Sequence, residues 1–329
     1  MRTDLSDLLR PAVLPVPLVR QVISGPTMGT RYSAVFFAPE VRDHANIRSA
    51  LQAAVDAVDA QMSTWKPDSD LMRFNRAPLE VWFDLPVHLC TVLAAALEIG
   101  RLSGGAFDIG VGDLVSAWGF GSTGRLDEAR ITGAASAARV PAHLCLELDR
   151  EQHRVRKHRE ITLDLSGIAK GFGVDQLAEV LTSHGIGHYL VSIDGELRAS
   201  GGKPDGSPWR IAVERPETGH RQAEGVLELT DGAVATSGDY RHFVELEGIR
   251  YAHTMDPRRR APLVDGPAAV TVMAETCMAA DAWATALLVL GPAAGGDVAS
   301  RQGLEALFID RPRISVPDSA RLPTPTMED

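Results

Sequence analysis

The chain has 329 residues, 45% of them apolar, enough to bury a sizeable core in one large or two small domains. Its 33 basic and 43 acidic side chains leave a net charge of −10, which disfavours non-specific binding to nucleic acid or to an anionic membrane surface. The three cysteines, Cys90, Cys145 and Cys277, are widely spaced and form no CxxC or Cys/His ligand pattern, so each reads as a small buried hydrophobe.

Residues 1 to 22 read as an extended lead-in: acidic residues come early, and Pro11, Pro15 and Pro17 interrupt any apolar run. With no signal segment and no lipobox cysteine before Cys90, this predicts a cytoplasmic protein, or a form that begins after a lost signal. A strand is predicted at 31 to 37, followed by a helical stripe through Ile47, Leu51, Ala54, Val55, Val58 and Met62. A second helical stripe runs through Cys90, Leu93, Ala94 and Leu97, and the glycine- and alanine-rich stretch from Gly119 to Ala142 reads as a surface connection. Further strands are predicted at 161 to 165, 188 to 193, 208 to 214, 241 to 246 (hairpin-paired with 249 to 253), 268 to 274 and 305 to 310. Residues 312 to 329, with four prolines, read as a loose tail, which leaves 23 to 311 as one domain. Neighbouring strands beside longer helices point to α+β, with mixed, largely antiparallel sheets, rather than a doubly wound sheet. No unbroken run of 18 apolar residues is present, so no membrane span is expected.

Two segments carry chemistry. In AADAWATALLVLG (279 to 291), Asp281 and Thr285 stand four residues apart on one helix face, two hard oxygen donors suited to Mg²⁺. The alternative is a carboxylate complementing the helix dipole and a threonine bonded back to a carbonyl. In DLSGIAKGFGVD (164 to 175), a predicted strand runs into a helix start whose glycines admit a ligand. Its free N–H groups and Lys170 suit a phosphate. An ordinary tight turn with a solvated lysine is the competing reading, since neither the Walker pattern nor G-x-G-x-x-G is matched.

Those two segments, with PTMGTRYS (26 to 33), MSTWKPDSDLMRFNR (62 to 76), GGAFDIGVG (104 to 112), AVATSGDYRHF (233 to 243) and the HxxDP of YAHTMDPRRRAPL (251 to 263), form an ordered series that resembles the ApbE family of FAD:protein FMN transferases. The resemblance implies an ApbE-like, T-fold-related architecture and a site carried over residue by residue. Metal ligation falls to the side chains of Asp281 and Thr285 and to backbone oxygens of Gly167 and Ala284. Lys170 would face the flavin's phosphates and Asp164 would hydrogen-bond FAD. Met28 and Trp65 would enclose the isoalloxazine, and Ala106, Phe107, Asp108 and Met255 would add FAD contacts. For Met28, Trp65 and Phe107, plain core packing is the competing reading. His253, in the HxxDP segment, is the predicted base, because a histidine titrates near neutrality.

Two positions depart from the family pattern. Asp194-Gly195-Glu196 stands where Gly-Gly-Asp is common, adding a carboxylate that would repel phosphate or supply another metal-linked oxygen. Arg258, Arg259 and Arg260 follow HxxDP where a glycine is usual, which alters that loop. The resemblance implies a Mg²⁺-dependent enzyme that splits FAD and passes FMN to a Thr or Ser hydroxyl of a partner flavoprotein, releasing AMP. The alternatives are a Mg²⁺-dependent FAD pyrophosphatase and a non-catalytic flavin-binding protein.

Overall fold

The computed structural model describes residues 16–40, 44–122, 124–136, 138–214, 216, 223–238, 243–246 and 248–311. In chain order it begins with the hairpin β1 (Val19–Thr27) and β2 (Thr30–Ala38), then the helices α1 (His44–Met62) and α2 (Asp70–Asn75). Next come β3 (Phe83–Asp84), α3 (Val87–Leu102), a 3-10 turn at Ile109–Val111, α4 (Gly112–Ala117), α5 (Glu128–Ser136) and α6 (Ala142–Cys145). β4 (Leu146–Asp149) and β5 (Arg154–Lys157) precede α7 (Ala169–Ser183), β6 (His188–Ile193), β7 (Glu196–Ser200), β8 (Trp209–Glu214) and β9 (Ala223–Leu229). The chain continues through β10 (Gly232–Gly238), β11 (Phe243–Leu246), β12 (Ile249–Ala252), β13 (Met255–Asp256), β14 (Ala261–Pro262) and β15 (Ala269–Ala274). It closes with α8 (Cys277–Gln302) and β16 (Glu305–Ile309).

Seven strands form the central sheet in the order β1-β2-β6-β7-β10-β15-β16, and every neighbouring pair is antiparallel. Alternation along β2 sends Tyr32, Ala34 and Phe36 to one face, where they pack with Ile47, Leu51 and Val55 of α1 and with Val174, Leu177 and Leu181 of α7. Val35 and Phe37 face the other way, beneath Trp209 and Ile211 of the β8–β9 hairpin. The result is α+β, with the sheet held between a helical layer and a small hairpin.

α7 and α8 pack directly against each other, and Gly171 makes that approach possible. A methyl group there would lie 2.3 Å from the Cys277 carbonyl oxygen and 2.8 Å from the Asp281 Cβ. α8 begins at the cap Thr276 and breaks at Gly291 (φ 75°), where Pro292 restarts the helix with the fixed φ that suits a first turn. Among the described helices it alone is long and apolar enough to cross a membrane, yet 56% of its most apolar window is buried inside the fold. It serves here as the core helix.

Several predicted elements need correction. β1 starts at Val19, so residues 19 to 22 belong to the sheet rather than to a lead-in. Residues 161 to 165 form no strand: Asn75 takes both hydrogen bonds of Leu163 (3.0 and 2.8 Å), while Gly112 at the start of α4 donates to Thr162 and Ile109 of the 3-10 turn accepts from Asp164. A side chain thus replaces a sheet partner. The stretch from Gly119 to Ala142 contains α5, none of whose side chains is buried, so it offers no apolar stripe to read. The tail 312 to 329, residues 1 to 15, and the Asp239–His242 part of AVATSGDYRHF lie outside the described residues.

Candidate functional site

Two tight turns define one end of the sheet. β1 and β2 are joined through Met28 (φ 46°) and Gly29 (φ 74°), a two-residue turn with both residues left-handed, which matches strand twist. β6 and β7 are joined through Asp194 (φ 55°) and Gly195, with Ile193 opposite Glu196. Because Tyr32 pairs with Ile193, the two turns lie side by side, and β10 carries Ser237 past them. A methyl group at Gly29 or Gly195 would meet nothing within 4 Å. The turn tips therefore border open space.

The start of α7 and the first half of α8 meet at this end. Asp281 is 4% exposed, and its Oδ2 accepts the Gly171 N–H at 2.9 Å. One of the helix-start donors expected to meet phosphate is therefore already taken by a carboxylate. Burial, then the neighbouring Glu196 charge, pushes the Asp281 carboxyl up to about 7, against the opposing effects of Lys170 and the Gly171 N–H. Lys170 donates to Glu196 Oε1 at 2.7 Å and lies 3.7 Å from Asp194 Oδ2. Burial acts against its charge, but Glu196, Asp281 and Asp194 outweigh it and hold its pKa above the ordinary lysine value.

Thr285, one turn beyond Asp281, shares a hydrogen bond with Ser237 at 3.0 Å. A methyl group at Gly167 would come within 3.1 Å of Thr285 Oγ1 and 3.3 Å of Phe107 Cε2, so glycine lets that backbone lie close against α8 without displacing either side chain. Among the described residues no three His, Cys, Asp or Glu side chains converge on a metal site. The side chains gathered here are one carboxylate and one hydroxyl, with the Gly167 backbone against Thr285; such hard oxygen donors fit Mg²⁺ and its retained waters. Three carboxylates (Asp194, Glu196, Asp281) around one ammonium also leave the cluster short of positive charge.

The remaining predicted residues divide into two groups. Gly173 places Met28 against α7: a methyl group there would lie 3.1 Å from the Met28 Cε. Ala284, on α8 itself, is buried in the main core with Ala106 and Phe107, and Phe107 abuts Gly167. Asp108 accepts from Gly110 N–H (2.8 Å) and Ala142 N–H (3.1 Å), and burial raises its carboxyl pKa against those bonds. Asp164, five residues before α7, accepts the Ser166 N–H at 2.8 Å. Trp65 is 64% exposed on the ordered loop between α1 and α2, where its backbone N–H donates to Ser63 Oγ at 3.2 Å and Ser69 Oγ donates to the Ser63 carbonyl at 2.7 Å. Core packing is thereby removed as an account of Trp65.

Met255 and His253 belong to a satellite cluster instead. Met255 packs with Leu114 and Trp118, and the His253 ring meets the Phe120 ring edge-on at 6.4 Å. The Arg258–Arg260 loop folds back on Asp256, which accepts the Arg258 N–H at 2.9 Å. Arg258 then donates to the Val289 carbonyl at 3.3 Å, just before the Gly291 break. Within this loop Arg260 takes a left-handed backbone, at φ 58°.

Sequence reasoning assigned no role to two residues that build this site. Asp175 on α7 accepts from Cys277 and Met278 N–H groups, 2.9 Å each, and from Arg198 at 2.7 Å. Its signal was an aspartate beside the apolar stripe Val174, Leu177 and Ala178. Ser237, which holds Thr285, has no pattern that distinguishes it from any strand serine.

Fold and site together define an α+β protein with Asp281, Thr285 and a lysine anchored on Glu196 gathered at one end of an antiparallel sheet. The chain belongs to the ApbE family, whose profile matches residues 28–308. It is 38% identical to the FAD:protein FMN transferase of Vibrio cholerae over 309 residues, covering 93% of this chain and 92% of that protein. It is 34% identical to the FAD:protein FMN transferase of Escherichia coli K12 over 294 residues, covering 88% and 84%. Among solved structures, it resembles the flavin transferase ApbE from Vibrio cholerae with a TM-score of 0.81 at 36% identity, covering 90% of this chain and 95% of that one. The apo flavinyl transferase ApbE of Pseudomonas stutzeri gives 0.79 at 35% identity, covering 90% and 92%.

Proposed function

We propose that the protein is a Mg²⁺-dependent FAD:protein FMN transferase. The observation that carries this reading is that the α7 end beside Lys170 meets α8 at both proposed side-chain ligands, with Gly171 donating to Asp281 and Gly167 lying against Thr285 one turn on. Support also comes from the activity by which the Vibrio cholerae and Escherichia coli relatives are named.

In this reading Asp281, Thr285 and the backbone oxygens of Gly167 and Ala284 hold the cation, which when bound neutralises charge on the FAD pyrophosphate. Lys170 places a second positive charge against the same phosphates. Trp65 offers its exposed indole face to the isoalloxazine and Met28 lines the opposite boundary, with Ala106, Phe107, Asp108, Asp164 and Met255 shaping the FAD cleft. A Thr or Ser hydroxyl of the acceptor protein attacks the phosphorus of the FMN half. The bond from that phosphorus to the bridging oxygen breaks, and AMP leaves with the bridging oxygen. His253 takes the hydroxyl proton. Holding the two reactants in line contributes as much as any single group.

The test is to incubate the protein with FAD and Mg²⁺, with and without a candidate flavoprotein, and to follow AMP, free FMN and covalent flavin. Transfer predicts AMP in step with covalent flavin and dependent on the acceptor. AMP matched only by free FMN decides for a pyrophosphatase, and bound FAD with no AMP decides for a flavin-binding protein.

A further inference from the structure

Glu196 is the most unusual side chain near the site. It opens β7 directly after the Asp194–Gly195 turn and is 3% exposed. Its Oε1 accepts from Lys170 at 2.7 Å, whereas Oε2 is buried with no hydrogen-bond partner among the described residues. An unpaired buried carboxylate oxygen is costly, so the position demands a role beyond packing. Lys170, by contrast, keeps 30% of its side chain exposed.

We propose that Glu196 is a positioning residue for Lys170. It rests on the reading of Lys170 as a ligand to the FAD phosphates. A lysine ammonium is a point charge on a flexible four-carbon stem, and left alone it explores many rotamers. The Glu196 carboxylate, fixed at the start of a central strand, holds one of its three protons inward. The other two donors are left for an incoming anion at the open end of the sheet. Asp194 plays the opposite part: 42% exposed and 3.7 Å from Lys170 Nζ, it is the weaker partner and the one a phosphate displaces. The pair thus separates into an anchor and a competitor.

The experiment measures FAD and riboflavin affinity with Mg²⁺ present, since riboflavin carries the ring without the phosphates. Glu196→Gln should weaken FAD about tenfold, the scale of one charge-assisted hydrogen bond, and leave riboflavin unchanged. Lys170→Ala should do the same, and the double variant should be no worse than Lys170→Ala alone, because both act through one ammonium. Equal losses for FAD and riboflavin, additive losses, or a Glu196→Gln protein that binds like wild type would overturn the assignment. Should Glu196→Gln not fold, Asp194→Gly decides: glycine suits the left-handed backbone there, so the turn is kept. That variant should tighten FAD a few-fold; weaker FAD binding would show that Asp194 assists the ligand and would sink the proposal. Failure of the transferase reading is separate, because it shows in the wild-type protein as no FAD-dependent AMP release.

Discussion

Asp175, in the middle of α7, closes the N-terminus of α8 by accepting the Met278 N–H at 2.9 Å, with Cys277 N–H held by the same carboxylate. The start of the helix that carries Asp281 and Thr285 is thus capped from a neighbouring helix as well as by its own Thr276. Asp175→Ala strands the buried Cys277 N–H and the half-buried Met278 N–H; at about 1–3 kcal/mol for a buried unsatisfied group, and less for the second, the variant should lose roughly 2–4 kcal/mol in urea unfolding. Asp175→Asn should fall between wild type and Asp175→Ala. A loss below about 0.5 kcal/mol, the range of neutral surface changes, would show that the cap contributes nothing.

Gly171→Ala places a methyl group 2.3 Å from the Cys277 carbonyl, a backbone atom that cannot rotate away. α7 and α8 must then part, at about 1–3 kcal/mol or more. Asp281 moves with them, so metal-dependent turnover should collapse even in folded protein. Gly133→Ala in α5 meets nothing within 4 Å and serves as the contrast, with stability unchanged or raised by about 0.4–1 kcal/mol. Equal thermal stability of the two variants would contradict the close-approach argument.

Asp281→Ala should abolish Mg²⁺-dependent turnover while FAD affinity falls less, because the carboxylate is the strongest charged donor in the proposed cation set. Turnover within about tenfold of wild type, roughly 1.4 kcal/mol of barrier, would rule the assignment out. The measurement is AMP release against Mg²⁺ concentration.

Trp65→Ala should leave unfolding stability within about 0.5 kcal/mol of wild type, since the indole is 64% exposed. FAD affinity should fall while AMP affinity holds, and the quenching of Trp65 fluorescence by bound FAD should disappear. If FAD and AMP weaken together, Trp65 does not stack on the flavin.

His253→Ala should keep FAD and Mg²⁺ binding and lose flavin transfer by about 10²–10⁴, the usual contribution of a positioned base. The competing role is structural, against Phe120 and the turn before Asp256. In that case affinity and rate decline in step, and paired measurements on one variant discriminate.

Much of this molecule is legible from periodicity alone. The stripe Ile47, Leu51, Val55, Val58 and Met62 lies buried along α1, and β2, β6, β8, β15 and β16 fall close to their predicted ranges, because each buries one face against a continuous core. Two-residue strands such as β13 and β14 carry no period to read. Residues 161 to 165 mislead because their alternation is real, but their partner is the Asn75 side chain, 88 residues away. At the site, the four-residue spacing of Asp281 and Thr285 is enough by itself to set them one helical turn apart. The Lys170–Glu196 pair, by contrast, depends on a helix start meeting a strand start, which no local pattern encodes.

The Asp281–Gly171 bond joins residues 110 apart, and Asp175 reaches Cys277 across 102. Such separations make the order of assembly matter: loop closure must precede the contacts that reward it, which slows folding. A nascent chain that has emerged only as far as β10 already holds Lys170 and Glu196 but lacks Asp281 and Thr285, the side chains proposed to hold the cation. During synthesis its sheet ends in an open edge where β15 will later pair, a surface prone to mispairing. Ligand capture therefore belongs to the finished chain, and flavin or metal added during refolding should act late, on the docking of α8, rather than on the early hairpins.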